Sequence, residues 1–181
     1  MVNKTKKDLW VEMSIREIWT QTNFAKIAYS HINQKAMAKN DLIFSSIHSF
    51  LSHCAMISKM LSATDSNKKT IGDIIGVKNT SLIHKRKFRN SLEHYDKELK
   101  KWIDKFPINV AIGTYNIGPK SAIQCSNIIL VSHYDPATKI FTFVNNDFNL
   151  EKLFIEAKKV KGNADKWVIR MEQGAITPPF I

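Results

Sequence analysis

The chain has 181 residues, of which 44% are hydrophobic and 24% are charged, and its formal net charge is +11. This composition is that of a folded soluble protein with one domain, or one domain and an appendage. No apolar run is long enough to span a bilayer, and acidic residues follow the lysine-rich beginning where a signal peptide would have an apolar core, so we expect a cytoplasmic protein with no membrane contact.

The first half of the sequence predicts two long helices. Residues 6–33 form the first, and its apolar residues available for one face are Trp10, Met13, Phe24, Ile27 and Ala28. Residues 41–62 form the second, with apolar residues at steps of four and three. Its other side carries four serines and His48, and small side chains favour close packing against another helix or a second protomer. We interpret His48 either as an accessory site residue or as a buried, hydrogen-bonded structural histidine.

A polar connection over residues 62–79 contains one helical turn or loop between Thr70 and Gly76. A further helix is then predicted from Asn79 or Thr80 to Phe106, where Pro107 stops it. Its apolar stripe consists of Phe88, Leu92, Tyr95, Leu99, Trp102 and Phe106. The opposite side holds Arg89, Asn90, Glu93 and His94, which places Arg89 and His94 in the middle of a rigid helix.

The outward group on this helix has chemistry suited to RNA cleavage without a metal. Histidine titrates near neutral pH and can remove a proton from a ribose 2′-hydroxyl. Arginine can stabilise charge on the phosphorus centre. The ordinary interpretation is a solvated polar face in which Arg89 and Glu93 support the helix as an i, i+4 pair.

The basic charge is concentrated in the part of the chain that carries this group. Residues 1–106 contain 19 Lys and Arg against 10 Asp and Glu, whereas residues 107–181 contain 8 against 6. A run without acidic residues includes Lys78, Lys85, Arg86 and Lys87, and we expect it to follow an RNA backbone. A generally lysine-rich set of proteins in the source organism would explain the same excess.

The last third of the sequence changes to β-branched and aromatic residues. Residues 127–133 and 139–144 predict two strands of a hairpin, joined by a turn at 134–138. Asp147 or Asn149 caps a short helix over about 150–161. This region is too small to fold alone and should pack on the helices or on a partner.

Neither the cysteines nor the histidines have the spacing of a metal site. Cys54 and Cys125 are far apart, and the six histidines show no zinc-ligand pattern. No Walker or dinucleotide-binding glycine pattern occurs. We expect reduced cysteines, no metal and no cofactor.

The stretch Arg89-Asn90-Ser91-Leu92-Glu93-His94, followed by Tyr95-Asp96, resembles the signature of the HEPN superfamily: an arginine, a polar residue, three variable residues and a histidine. The resemblance covers about residues 5–106. It implies a small antiparallel helical bundle that forms homodimers, in which two copies of the motif meet. Many members are metal-independent ribonucleases of toxin–antitoxin, abortive-infection and CRISPR-associated systems. By this resemblance Arg89 and His94 are the catalytic pair, and Asn90 orients His94.

These observations lead to one fold hypothesis and three hypotheses of function. The fold is a mainly α, HEPN-like antiparallel bundle over 1–106, with a β-hairpin and short helix over 107–181 packed on it. The leading function is a metal-independent endoribonuclease of phage defence or a toxin–antitoxin system, with RNA and an antitoxin protein as partners. The alternatives are a non-catalytic homodimeric module that binds nucleotide, RNA or a protein, and a structural dimer whose Arg and His pair across the interface.

Overall fold

The computed structural model describes residues 5–33, 40–65, 68–85, 94–105, 110–123, 128–144 and 146–173. The helices in these ranges are α1 (Lys6–Asn33), α2 (Asn40–Leu61), α3 (Ile71–Ile75), α4 (Tyr95–Ile103) and α5 (Leu150–Glu172). The strands are β1 (Ala111–Gly113), β2 (Asn116–Ile117), β3 (Ile128–Leu130), β4 (Ser132–Asp135), β5 (Ile140–Phe143) and β6 (Asn146–Asn149). The protein is mainly helical with a small β region in its C-terminal part, as the sequence predicts.

Helix α1 lies between α2 and α5 and runs antiparallel to both. The ring of Tyr29 is 5.4 Å from that of Phe50 on α2 and 4.1 Å from that of Phe154 on α5. At the middle of α1, the indole of Trp19 donates to Asp165 on α5 at 2.7 Å. Buried residues of these three helices and of the sheet form one hydrophobic cluster that extends from Val11 to Trp167.

The inner side of α1 differs from the predicted one. Trp10, Met13, Phe24 and Ile27 are exposed, and of the five predicted residues only Ala28 is buried. The helix has apolar residues on two sides, so the pattern alone does not show which side faces inward. The inner side uses aliphatic residues that allow close approach of α2 and α5, and these are Val11, Ile15, Ile18, Ala25, Ala28 and Ile32.

Helix α5 is much longer than the predicted helix over 150–161. It begins as expected, because the side chain of Asn149 accepts a hydrogen bond from the Lys152 N–H at 2.9 Å. Its buried residues continue at helical steps to Trp167 and include two alanines. Alanine gives a weak apolar signal, and Gly162 and Asn163 interrupt the pattern, so the sequence underestimates the length.

The single helix predicted from about residue 80 to Phe106 is wrong. Leu82–His84 form a 3-10 turn and Lys85 is extended, while α4 begins only at Tyr95. Side-chain contacts anchor the chain at this turn, since Ile83 is fully buried and the Ser81 hydroxyl donates to Glu156 on α5 at 2.5 Å. The spacing of apolar residues along the sequence does not show that a helix is interrupted by such a turn. Phe88, Leu92, Phe106 and Pro107 lie outside the described residues.

The short segment before this turn folds as its sequence indicates. Thr70 caps α3 with a reciprocal pair of hydrogen bonds to Asp73, and Gly76 ends the helix with a φ of 73°.

The four-stranded sheet has the order β2-β4-β5-β6. The predicted hairpin is present as β4 and β5, which pair antiparallel from Ser132↔Phe143 to Asp135↔Ile140. The first predicted strand is divided: Ile128–Leu130 pair parallel with β1 in a separate two-stranded sheet, and the hairpin begins at Ser132. One face of the larger sheet packs on α2, where Phe44 and His48 contact the ring of Phe141.

Candidate functional site

His94 is the motif residue that falls within the described chain, and it lies at the start of α4. Its backbone has φ −123° and ψ 37°, its carbonyl accepts the Glu98 N–H at 2.9 Å, and its side chain is exposed and makes no capping hydrogen bond. The prediction that His94 lies in the middle of a helix is therefore wrong. Arg89, Asn90 and Glu93 lie outside the described residues, as do Arg86 and Lys87.

Tyr95 joins the end of the motif to the sheet. Its ring stacks on Phe143 of β5, with a centroid distance of 5.1 Å and an interplanar angle of 22°. Further along α4, Leu99 and Trp102 are half-buried against the core. These contacts hold the beginning of α4, and with it His94, at the edge of the sheet face that packs on α2.

Beside Tyr95 is a cavity of about 310 Å³, which we call the aromatic cavity. It is lined by His48, Tyr95, Thr114, Tyr115, Val131, Ser132 and Phe143. The lining residues come from α2, α4, the sheet and the connections between strands. Of these residues the sequence predicts only His48 as a site residue, because the others converge through long-range packing and have no common spacing.

His48 is half-buried in this cavity. Its ring lies 6.2 Å from each of the rings of Phe141 and Phe143. Burial lowers the pKa of His48, so the imidazole is neutral at pH 7. It makes no hydrogen bond to any residue that the structure describes, which argues against the interpretation of His48 as a hydrogen-bonded structural histidine. A neutral imidazole presents one donor and one acceptor.

Tyr115 forms another wall of the cavity and has a strained backbone. Its φ is 56°, a left-handed value that is rare for a bulky residue and costs on the order of 1–3 kcal/mol. The Ser132 hydroxyl oxygen accepts the Tyr115 N–H at 2.9 Å, and the Asn40 side chain donates to its carbonyl at 3.3 Å. The ring packs edge-on against Phe44 at 5.1 Å. Distant parts of the chain thus hold this tyrosine in place.

A second concave surface of about 620 Å³ lies between α5 and the segment after α3, and we call it the basic groove. Its lining includes Lys78, which the sequence predicts as an RNA contact, and two lysines of α5, Lys152 and Lys159. Glu156 binds Lys159 at 2.7 Å and accepts from Ser81, and these hydrogen bonds lower the pKa of Glu156. Lys85 is exposed just after the 3-10 turn. The α5 lysines were missed because they are distant in sequence from the predicted basic run.

Two kinds of site are absent from the described ranges. No three His, Cys, Asp or Glu side chains there are arranged to hold a metal ion. Of the helices bounded above, none combines the length and the apolar character required to cross a membrane. Cys54 is buried, and Cys125 lies outside the described residues.

Comparison with known proteins gave no relationship. A scan against protein-family models found no matching family, and searches of curated proteins and of solved structures found no significant match.

Proposed function

We propose that the protein is a metal-independent endoribonuclease of HEPN type. The observation that carries the proposal is the exposed His94 next to Tyr95, which lines the aromatic cavity. His94 would remove the proton of a ribose 2′-hydroxyl or protonate the leaving oxygen, and Asn90 would orient it. Arg89 would stabilise the charge on phosphorus, with Glu93 and His48 as accessory groups. The product would then be a 2′,3′-cyclic phosphate.

The charge of the protein supports an RNA substrate. The net charge of +11 attracts a polyanion, and Lys78 lies in the basic groove with Lys152 and Lys159. We propose that this groove and Lys85, together with Arg86 and Lys87, contact the phosphate backbone. Such an activity would serve phage defence or a toxin–antitoxin system, where an antitoxin protein would restrain it.

The proposal includes a two-fold homodimer. One exposed surface of the bundle, the α1–α2 face, is built from apolar and small residues, and these are Met13, Phe24, Ile27, Ser45, Ser49, Ser52 and Met56. Within a single chain, no described element covers it. Ser45 and Ser52 are one turn before and after His48 on α2, so the face adjoins the aromatic cavity. A dimer formed through this face would bring two copies of the site close to the axis.

Cleavage of a labelled RNA in EDTA tests the catalytic proposal. We expect wild-type protein to cut RNA and leave single-stranded DNA intact, because DNA lacks the 2′-hydroxyl. His94→Ala should lose roughly 10²-fold or more of the rate, since it removes a proton-transfer group. Lys97→Ala removes an exposed charge from the same helix and should change the rate less than about threefold, as expected for one surface phosphate contact.

Two outcomes of this assay would contradict the proposal in different ways. Equal rates for wild type and His94→Ala would remove His94 from the mechanism. No cleavage by wild type on several RNAs would favour a non-catalytic homodimeric module that binds nucleotide, RNA or a protein.

Light scattering at micromolar concentration tests the dimer. We expect wild type to be a dimer and Ile27→Glu to be a monomer, because the change places a charge in the apolar α1–α2 face. Ile169→Glu makes the same change at another exposed apolar residue, on α5, and should leave the dimer intact. A monomeric wild type would refute the dimer.

A further inference from the structure

The aromatic cavity has exposed ring surface at its rim. The residues Tyr95 and Tyr115 are 42% and 52% exposed, although each ring also packs on a buried phenylalanine. Each tyrosine is therefore supported by a buried ring and still partly accessible to solvent. Planar nucleic-acid bases stack on aromatic side chains of this kind, and stacking tolerates any base.

The polar groups of the cavity are neutral. His48 is uncharged at pH 7 and has no partner among the described residues, and the Thr114 hydroxyl lies in the same lining. The Ser132 hydroxyl accepts from the Tyr115 N–H, so its own hydrogen is free to be donated. These groups can donate to and accept from the edge of a base. Since no charged side chain occurs among the described lining residues, the cavity suits a neutral ring better than a phosphate.

The size and position of the cavity restrict what it holds. Its volume of about 310 Å³ is at the lower end of the range for small-molecule sites, enough for one base. Tyr95 directly follows His94, and consecutive Cα atoms are about 3.8 Å apart. A base stacked on Tyr95 would therefore lie one residue from His94, within one nucleotide's reach of its exposed side chain.

We infer that the aromatic cavity binds one unpaired nucleobase of RNA and so positions the adjacent phosphodiester at His94. This inference rests on the proposed function, because it assigns a substrate contact to the same site. The basic groove contacts phosphates, whereas the aromatic cavity contacts a base. The two surfaces would therefore bind different parts of the same RNA.

The walls of the cavity are fixed before a ligand arrives. Tyr115 has a φ of 56°, and Val144, which follows the wall residue Phe143, has a φ of 45°. Such values are outliers for bulky and β-branched residues. The Val144 N–H donates to the Val131 carbonyl at 2.9 Å, which ties these two parts of the cavity together. A stacking surface that such contacts already order loses little side-chain entropy on binding, which favours affinity.

Titration of the protein with adenosine, guanosine, cytidine and uridine tests the inference, with binding detected by shifts of the backbone amide NMR signals. A nucleoside has no phosphodiester that the protein could cleave and no phosphate that the basic groove could bind. We expect at least one nucleoside to shift residues around the cavity, and ribose 5-phosphate to leave them unchanged. Tyr115→Gly should weaken nucleoside affinity about tenfold or more, as expected for loss of one stacking partner.

Glycine is chosen at position 115 because it accepts the positive φ without strain. Tyr95→Ala is a second variant that should weaken binding similarly. Ile112→Ala, at a 61% exposed residue of β1, should have no effect.

Failure of this inference differs from failure of the nuclease proposal. Absence of nucleoside binding, or binding unchanged by both tyrosine variants, overturns the base subsite even if RNA is cleaved. Tyrosine-dependent nucleoside binding supports the subsite even if no RNA is cleaved.

Discussion

The two faces of the four-stranded sheet carry side chains of opposite character. The inner face, toward α2, is aromatic, with Tyr134, Phe141 and Phe143 almost completely buried. The outer face carries one polar row across all four strands, in which directly paired residues follow one another as Asn116, His133, Thr142 and Asp147.

The inner face is stabilised by ring contacts to two layers. Phe141 lies 6.2 Å from Phe44 on α2, 6.0 Å from Phe143 on its own strand and 6.4 Å from Phe148 on β6. These rings bury large apolar areas, and favourable ring geometry adds to the burial. The inner face therefore supplies much of the stability that fixes the sheet on the bundle.

The outer face leaves polar groups unsatisfied. Thr142 donates to Asp147 at 2.5 Å, and Lys120 lies 3.5 Å from the same carboxylate. In contrast, Asn116 Nδ2 and both ring nitrogens of His133 are buried without a hydrogen bond of standard geometry to the described chain. An unsatisfied buried polar group costs stability. The comparison indicates that the inner face stabilises the fold. The outer face makes the stability of the fold depend on pH.

The largest effect should come from the inner face. Phe141 is 0% exposed, and Phe141→Ala should lower the free energy of unfolding by about 3–5 kcal/mol, because it removes buried area and leaves a cavity among rings. Urea unfolding followed by circular dichroism measures this. Ile112→Ala, at an exposed strand residue, should change stability by less than about 0.5 kcal/mol. A loss below about 1 kcal/mol for Phe141→Ala would show that the inner face is not the main support of the sheet.

The sequence predicts the elements of this sheet better than their packing. Alternation along Ile140–Phe143 and the turn after Asp135 are local signals, so the hairpin and the mainly helical first half could be predicted. The inward side of α1 could not, since exposed Phe24 and Ile27 give the same pattern as buried Ile15 and Ile18. Which side of α1 faces inward depends on its packing against α5, and the alanines of α5 make the length of that helix difficult to predict.

The candidate site shows the same limit. Arg89 to His94 is a local pattern and could be recognised, and so could the basic run that contains Lys78. The break before α4 depends on contacts of Ile83 and Ser81 with distant residues. The aromatic cavity likewise depends on the approach of Tyr95 and Tyr115 from separate segments. No spacing in the sequence predicts either of these long-range contacts.

A smaller effect, specific to the outer face, should appear as pH falls. Burial is the main cause that lowers the pKa of His133, which is 1% exposed, and the charge of Lys120 also lowers it. The charge of Asp135, a backbone contact with Gly118 and the charge of Asp147 raise this pKa but do not outweigh these causes.

Because the folded-state pKa of His133 lies below the unfolded value near 6.5, the unfolded chain binds the proton first as pH falls. The contribution of His133 to stability is therefore complete above about pH 6.5 and decreases from there toward its folded-state pKa. The slope is at most about 1.4 kcal/mol per pH unit for this one proton. Urea unfolding of wild type at pH 7, 6 and 5 should show this decrease, to which the lowered pKa values of the half-buried His48 and His84 also contribute.

His133→Gln should reduce the loss of stability between pH 7 and pH 5, whatever its stability at pH 7, because glutamine does not titrate. Thr142→Val disturbs the same polar row without removing a histidine, and its stability should differ from wild type by the same amount at both pH values. An unchanged pH dependence in His133→Gln would mean that His133 is protonated equally easily in the folded and unfolded chain. Burial of His133 would then not make the stability of the fold depend on pH, and this contrast between the two faces of the sheet would not hold.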